Sequence, residues 1–565
     1  MAYKKWKIGG YDRSEAAVLF REGMNPLLSV VLASRGMCGT EEIKILSKDG
    51  CDALSDPMAL QDMETAADRV KKAIEDVEHV AVYGDYDVDG ITSSCLMADY
   101  LRSKGLVCDI YIPERLEEGY GVNSTALDTI KAGGASLVIT VDCGITAVME
   151  VEHAKKIGLD IVITDHHECA GTLPDCPVVD PKREKGECPA KLLAGVGVAF
   201  KLLCAVEGAG KTEELLERYG DLVAVGTIAD VMPVTGENRV LIKRGLELVK
   251  RGNRIGLSEL CAAAGMDRKK ISVTGVGFTV APRINAAGRL GSTDTAVGLL
   301  LARNRQDAAA YAEKLCGLNR KRQEIEAEML KSALKMLQER PPEGRPIVLS
   351  DDRWHQGVAG IVASRLSERF NLPTVMICLK DGVGHGSCRS TDGFNIFGAL
   401  EVCRDKLLGF GGHEMAAGLS IREEMIDDFR VDMGEYYEKQ PKCDKSCELR
   451  VDFEVVKPSI LTVENIEALD VLEPYGMGNP QPVLCMSGVD VEDMVPLSEG
   501  KHTKMWVGRD GDVFEAVFFG KSIRDLGASV GMKADVAFVP QVNEFRGRRS
   551  AQLYLVDFKE HGCGQ

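Results

Sequence analysis

Between about residues 80 and 180, short apolar runs alternate with stretches of helical period. HVAVYG precedes ITSSCLMADYLRSKG, VCDIYIP follows, and SLVITVD precedes ITAVMEVEHAKKIG. DIVITD and PVVDP come next. The runs are apolar on both faces and rich in Val and Ile, as parallel strands buried under crossover helices must be. The pattern predicts an open parallel sheet, and ligands of such sheets gather beyond the carboxyl ends of the strands. From Arg303 to Arg340 helix breakers are almost absent apart from Gly317, and the run stops at Pro341-Pro342. This predicts one or two long connecting helices that end at a domain boundary. A second α/β block follows, with PIVLS, LPTVMICL and the glycine-dense VGHGSCRS and GFGGHEMAAG. From Leu449 onward LRVDFEVV, TKMWVG, VFEAVFF, ADVAFVP and AQLYLVDF alternate like the strands of a small β-barrel.

The fold class expected is therefore multidomain α/β. A helical or mixed segment occupies 1–75, a parallel-sheet domain 76–235, and a helical region with the connecting helix 236–340. A second α/β domain fills 341–440 and the barrel 449–560. The length of 565 residues suits three or four domains at about 150 residues each. The formal charge of −17 excludes a body coated in positive charge, so any nucleic-acid contact must be a local basic channel. MAYKKWKIGG leads into no apolar signal-peptide run, and no apolar stretch is long enough to span a bilayer. The eighteen cysteines are scattered, mostly inside apolar runs, which predicts reduced, buried thiols in a cytoplasmic protein. Cys443 and Cys447 in CDKSC lack a second pair at zinc-finger spacing, which argues against a structural zinc there.

The strand-end rule gives the acidic residues their meaning. The first strand runs into Asp85, Asp87 and Asp89 in YGDYDVDG, the third ends at Asp142 in TVDCG, and the fourth at Asp165-His166-His167 in ITDHHE. One Asp behind a strand is ordinarily a turn or helix cap. Three carboxylates within five residues repel one another unless a cation sits among them. Asp-x-Asp-x-Asp-Gly also opens a calcium loop of the EF-hand type, but the loop's terminal glutamate would fall at Leu96, and a strand precedes the motif where a helix is required. Carboxylates mixed with imidazole suit Mn²⁺ or Mg²⁺ better than a thiolate-selected metal. VAVGTIADVMP supplies a further candidate ligand, Asp230, on a turn of small residues. Two P-loop or dinucleotide look-alikes fail. GAGKT has Ala205 where a phosphate loop needs glycine, and GVGVAF lacks a third glycine.

DYDVDG, VDCG, TDHHE and GTIADVMP, in this order, resemble the four motifs of the DHH phosphoesterase superfamily. IPERLEEGYG, APRINAAGRLG, HQGVAGIVASRL, GHGSCRS, GFGGHEMAAG and EPYGMGNPQP resemble the RecJ family of single-strand-specific exonucleases within it. The resemblance covers about residues 80 to 480. It implies a DHH domain, a second α/β domain of the DHHA1 type and an OB-like barrel. It implies two divalent ions held by Asp87, Asp89, Asp142, His166 and Asp230, with Asp142 bridging. His167 would then lie near the scissile phosphate, and Asp165 would orient a histidine. One position departs from the family pattern: Tyr83 stands where many members carry a histidine ligand, and Asp85 is the candidate substitute. Ser387, Arg389 and His413 are candidates for gripping a phosphate, Arg115 for facing the metals, and Arg283, Asn285 and Arg289 for lining the entrance. Arg546, Arg548 and Arg549 form either a strand-tracking surface or a charged hairpin tip. The implied function is 5′→3′ digestion of single-stranded DNA in recombination and repair. No ATPase motif is present, so a separate helicase, together with a single-strand-binding protein, is an expected partner. The rival readings are a phosphodiesterase for short oligonucleotides or cyclic dinucleotides, and a non-catalytic replication scaffold.

Overall fold

The computed structural model describes residues 3, 5–39, 46, 50–115, 118–119, 121–169, 171–440 and 448–562. Cys443 and Cys447 lie outside the described residues. The chain forms two units. One comprises residues 54–232 and 237–443, the other residues 1–53, 233–236 and 444–565.

The larger unit begins with a five-stranded sheet, every pairing parallel, of β1 (Val80–Gly84), β2 (Cys108–Tyr111), β3 (Leu137–Val141), β4 (Asp160–Thr164) and β5 (Val178–Val179). Their spatial order is 2-1-3-4-5, so connections leave β1 in opposite directions and open a crevice between β1 and β3. β1 and β3 are buried along their whole length, which explains why they read as unbroken apolar runs. Three helices line up with the strand ends: α1 (Val88–Ser103), α2 (Gly195–Glu207) and α3 (Thr212–Ala229). The segment GVGVAF opens α2, and GAGKT lies at its far end.

Helix α4 (Ala281–Leu290) leads towards α5 (Arg305–Glu339), a single 35-residue helix capped at Asn304. The second sheet has the order Leu407–Gly412, Ala416–Arg422, Val383–Arg389, Thr374–Lys380, Ile347–Asp351, and helix α6 (Gln356–Phe370) packs on it. Lys201 of α2 and Glu237 are each only 2% exposed and form a 2.6 Å ion pair, with Lys201 also donating to the Ser55 carbonyl.

The smaller unit holds the barrel. Strands Leu484–Leu497, His502–Arg509, Asp512–Phe518, Arg548–Glu560 and Lys533–Phe545 pair in that order, and Leu484–Leu497 closes the ring against Lys533–Phe545. Arg546 sits at the tip of the last hairpin, Arg548 follows it, and Arg549 pairs with Glu467. The N-terminal segment, expected to form one piece through residue 75, divides near residue 53. Lys5–Ile8 pairs with Glu448–Val451, and helices Arg13–Arg21 and Pro26–Ser34 contribute Leu19, Leu27, Val31 and Leu32 to the barrel's core. Tertiary packing of an apolar helical face, invisible in local periodicity, makes that division.

Candidate active site

The loop after β1 turns directly into α1. Asp87 is the helix N-cap, its Oδ1 accepting hydrogen bonds from the backbone N–H of Asp89 (2.9 Å) and Gly90 (3.1 Å). Asp89, in the first turn of α1, is buried and reaches the start of α2. Its two oxygens accept from the N–H of Gly195 (2.7 Å) and Val196 (2.9 Å) at the start of α2. A helix N-terminus thus holds this carboxylate in place. Asp142, immediately after β3, adopts φ +62°, a conformation costly for a residue with a side chain and typical of strained functional positions. Asp230 caps the C-terminus of α3.

These elements bring the candidate ligands together. His166 Nε2 lies 3.0 Å from Asp142 Oδ1, 3.7 Å from Asp230 Oδ2 and 3.9 Å from Asp89 Oδ2. Three groups each place their donor atoms within 4.8 Å of one another: Asp85 with Asp87 and Asp142, Asp89 with His166 and Asp230, and Asp142 with His166 and His167. Asp85 Oδ1, Asp142 Oδ1 and His166 Nε2 are buried with no hydrogen-bond partner. Orphaned buried acceptors are rare because each costs free energy, and here they all point into one space. Burial and the neighbouring carboxylates push Asp85 up to about 8, and Asp89 and Asp142 well above the usual carboxylate range. Burial together with Asp87 raises Asp230 to about 7, and burial together with the nearby His167 lowers His166 to about 4, which leaves its imidazole neutral. Neutral imidazole and hard carboxylate oxygens are a donor set for Mn²⁺ or Mg²⁺, and the residues present fit such ions.

Asp165 does different work. Its Oδ2 accepts from Ile145 N–H (2.9 Å). Its Oδ1 accepts from the N–H of His166 (2.7 Å) and His167 (3.2 Å) and lies 2.7 Å from His167 Nδ1. Burial works against ionising Asp165, but the His167 contact outweighs it and keeps the carboxyl low, while the same pair raises His167 to about 9. Asp165 therefore orients the His167 ring beside the centre. Tyr83 stays out of the site: it stacks on Tyr111 (5.2 Å between centroids) and donates to the Gly121 carbonyl.

Beside the carboxylates stands a cluster of arginines. The Arg115 guanidinium lies over the Tyr86 ring at 4.8 Å. Burial and the charges of Arg115, Arg389 and Arg322 lower Arg289 to about 10, and burial with Arg115 lowers Arg389. Among the described residues none of Arg115, Arg289 and Arg389 is in an ion pair. Arg289 donates to the Gly357 carbonyl at the start of α6 (3.0 Å). A Cβ at Gly360 on the same helix would stand 2.9 Å from Arg389 Nη2 and 3.6 Å from Ser387 Oγ, so Arg389 and Ser387 share that face. His413 is exposed in the hairpin turn whose Ala416 pairs with Arg389. Arg283 does not join the arginines. It donates to the Thr279 carbonyl one turn back (2.6 Å) and lies beside Cys261. Asn285 is half-buried on α4.

Two residues escaped the sequence reading. A Cβ at Gly195 would come within 2.6 Å of the Asp142 Cβ and 2.7 Å of its Oδ1. A Cβ at Gly226 would meet Thr92 Oγ1 and come within 2.9 Å of Asp89 Oδ1. Both glycines let a helix approach the carboxylates, and GVGVAF, a failed dinucleotide fingerprint, carries the first of them.

Three family models match the chain: the DHH family, N-terminal domain over 79–227, the DHHA1 domain over 344–439 and the RecJ OB domain over 451–557. The chain is 37% identical to the single-stranded-DNA-specific exonuclease RecJ of Bacillus subtilis (strain 168), across 98% of its own length and 70% of that protein. The crystal structure of RecJ in complex with Mn²⁺ from Thermus thermophilus matches with a TM-score of 0.82 at 32% identity, covering 98% of this chain and 79% of that one. RecJ in complex with Mg²⁺ from the same organism matches with a TM-score of 0.77 at 29% identity, covering 98% and 78%. With the motifs, the sheet order and the site geometry, these matches place the chain in the RecJ family of single-stranded-DNA-specific exonucleases.

Proposed function

We propose that this chain is a metal-dependent exonuclease that digests single-stranded DNA from the 5′ end by hydrolysing successive phosphodiesters. One observation carries the reading: buried carboxylate and imidazole atoms without a hydrogen-bond partner stand next to arginines that form no ion pair among the described residues. A phosphodiester chain held with divalent cations satisfies both at once.

Asp87, Asp89, Asp142, His166 and Asp230, with Asp85 in the position left open by Tyr83, would hold two ions of Mn²⁺ or Mg²⁺. Such ions would supply an activated water and neutralise charge on the phosphoryl oxygens during in-line displacement. The chain's own groups do the rest. Asp165 fixes the His167 ring, and His167, held cationic by that contact, stabilises charge that accumulates on the phosphate. Arg115, Arg289, Arg389 and Ser387 take the terminal phosphate and so set which bond lies over the metals. In the cell, a cytoplasmic enzyme of this kind would act in recombination and repair on strands opened by a helicase and coated by a single-strand-binding protein.

The test is digestion of a long 5′-phosphorylated single strand with Mn²⁺ present, labelled at the 5′ end, beside a dinucleotide and a blunt duplex. The chain should release mononucleotides from the 5′ end of the single strand, and Asp142→Ala should abolish this. Equal rates on the dinucleotide would favour the short-oligonucleotide phosphodiesterase, and equal rates on blunt duplex would remove the single-strand assignment.

A further inference from the structure

Phe278 is 82% exposed, more than any other large apolar side chain among the described residues. It is not on a loose loop. It lies within a π-helical turn, Val276–Val280, inside an unbroken helical run that continues as α4 to Leu290. Isolated π turns recur at functional sites because the extra residue re-aims side chains. A singly exposed apolar side chain is ordinary by itself; what marks Phe278 is its place in a π turn together with its surroundings.

The surroundings say where the ring stands. Gly277, its neighbour, packs against α3: a Cβ there would lie 3.8 Å from Ile228 Cγ2. Ile228 is two residues before Asp230, and Val231, which follows Asp230, is 61% exposed at φ +58°. At the other end of the run, Gly288 abuts the Tyr86 carbonyl, and Arg289 feels the charge of Asp87. The helix carrying Phe278 therefore borders the metal-ligand cluster from its Asp230 side to its Asp87 side. Eleven residues separate Phe278 from Arg289, on the order of 16 Å along a helix axis. With the terminal phosphate at the arginines and the scissile bond over the carboxylates, a strand continuing past Asp230 meets the phenyl ring.

We propose that Phe278 is a stacking platform for a nucleobase on the 3′ side of the bond being cut. The assignment rests on the nuclease reading for the strand's direction, while the platform itself needs only a nucleobase. Base–aromatic stacking accepts any base, which suits an enzyme that digests without regard to sequence.

The test is an abasic scan. Fluorescence anisotropy is measured with the full chain in EDTA, where no strand is consumed, on 5′-phosphorylated oligo-dT strands that each lack one base. The native chain should lose about tenfold in affinity when the base a few positions from the 5′ end is missing, and much less elsewhere. Phe278→Ala should bind intact oligo-dT about tenfold more weakly and show no further loss on the abasic strand. Phe278→Trp should keep the penalty. A merely structural role would weaken intact and abasic strands alike and leave the penalty in place. That result, or unchanged binding by Phe278→Ala, overturns the proposal. Digestion with Mn²⁺ is scored separately. A chain that shows the penalty but cuts nothing keeps the platform and loses the nuclease reading, and a chain that cuts but shows no penalty does the reverse.

Discussion

Gly195→Ala adds one methyl group, changes no charge and alters no proposed ligand, yet it should cripple the centre. The added Cβ would stand 2.6 Å from the Asp142 Cβ and 2.9 Å from its Cα, distances that real Cβ atoms essentially never show. The obstructing atoms are backbone and Cβ, so no rotamer change relieves the clash. Reaching an ordinary 3.4 Å contact requires Asp142 and the start of α2 to separate by about 0.8 Å. Overpacking of this kind costs about 1–3 kcal/mol. Both partners in the separation matter. Asp142 already occupies a strained left-handed conformation, and the Gly195 N–H is one of the two donors that hold Asp89. A displacement near 1 Å at a catalytic centre costs roughly 10²-fold in rate. The variant should therefore remain folded, digest single-stranded DNA about a hundredfold more slowly, and bind Mn²⁺ more weakly by calorimetry. Gly210→Ala is the control: a Cβ there meets nothing within 4 Å, and Gly210 belongs to the GAGKT segment that has no part in the site. Native Mn²⁺ affinity and native digestion by Gly195→Ala would refute the claim that the close approach of α2 sets the ligand geometry.

The folded, metal-free chain holds Asp85 near 8 and Asp230 near 7, raised by burial and their acidic neighbours. A raised carboxylate favours the folded state least once it must ionise, so stability should fall as pH rises from about 4 through about 8. Mn²⁺ should consequently raise the melting temperature more at pH 8 than at pH 6, and equal shifts at both would contradict the burial argument. Arg389→Ala should raise KM for a 5′-phosphorylated strand by about tenfold or more, the scale of a lost charge-assisted hydrogen bond, while barely changing KM for a 5′-hydroxyl strand. Glu237→Gln strands Lys201 in the core and should destabilise the larger unit by about 3–5 kcal/mol, read as a lowered thermal midpoint.

Much of the site was legible because the chemistry sits where strand patterns end. Asp85, Asp87, Asp89, Asp142 and the Asp165-His166-His167 triplet all follow recognisable apolar runs, so the sheet rule alone directs them to one edge. Asp230 was harder, since it caps a helix and only the motif flags it. Arg283 illustrates the limit. From the sequence, Arg283 and Arg289 look equivalent within one motif. They lie six residues apart, however, and 3.6 residues per turn sends them to different sides of α4. Gly195 and Gly226 were illegible for the opposite reason. A glycine that admits another element's carboxylate has no local signature, because its partner lies tens of residues away. The N-terminal segment divided near residue 53 for a related cause: its strand pairs with residues more than four hundred positions downstream.

Negative and positive clusters this close should neutralise each other, and the structure explains why they do not. Asp87 is committed to the first N–H groups of α1, Asp89 to the first N–H groups of α2, and Asp165 to Ile145, His166 and His167. Backbone donors cannot swing away, so these carboxylates cannot rotate to meet a guanidinium. On the other side, the Tyr86 ring lies under Arg115, and the start of α6 holds Arg289 by a carbonyl. Burial first, and then each cluster's own repulsion, raise the carboxylates and lower the arginines from their usual ranges. Cations relieve the first and a polyanion the second. On the proposed function, this explains how a chain of net charge −17 would engage DNA: its overall field opposes binding, and a strand end delivered into the arginine cluster would find a local attractive well, deepened when cations are bound. An internal stretch of strand meets the acidic body without that compensation, which favours cutting at ends over cutting within.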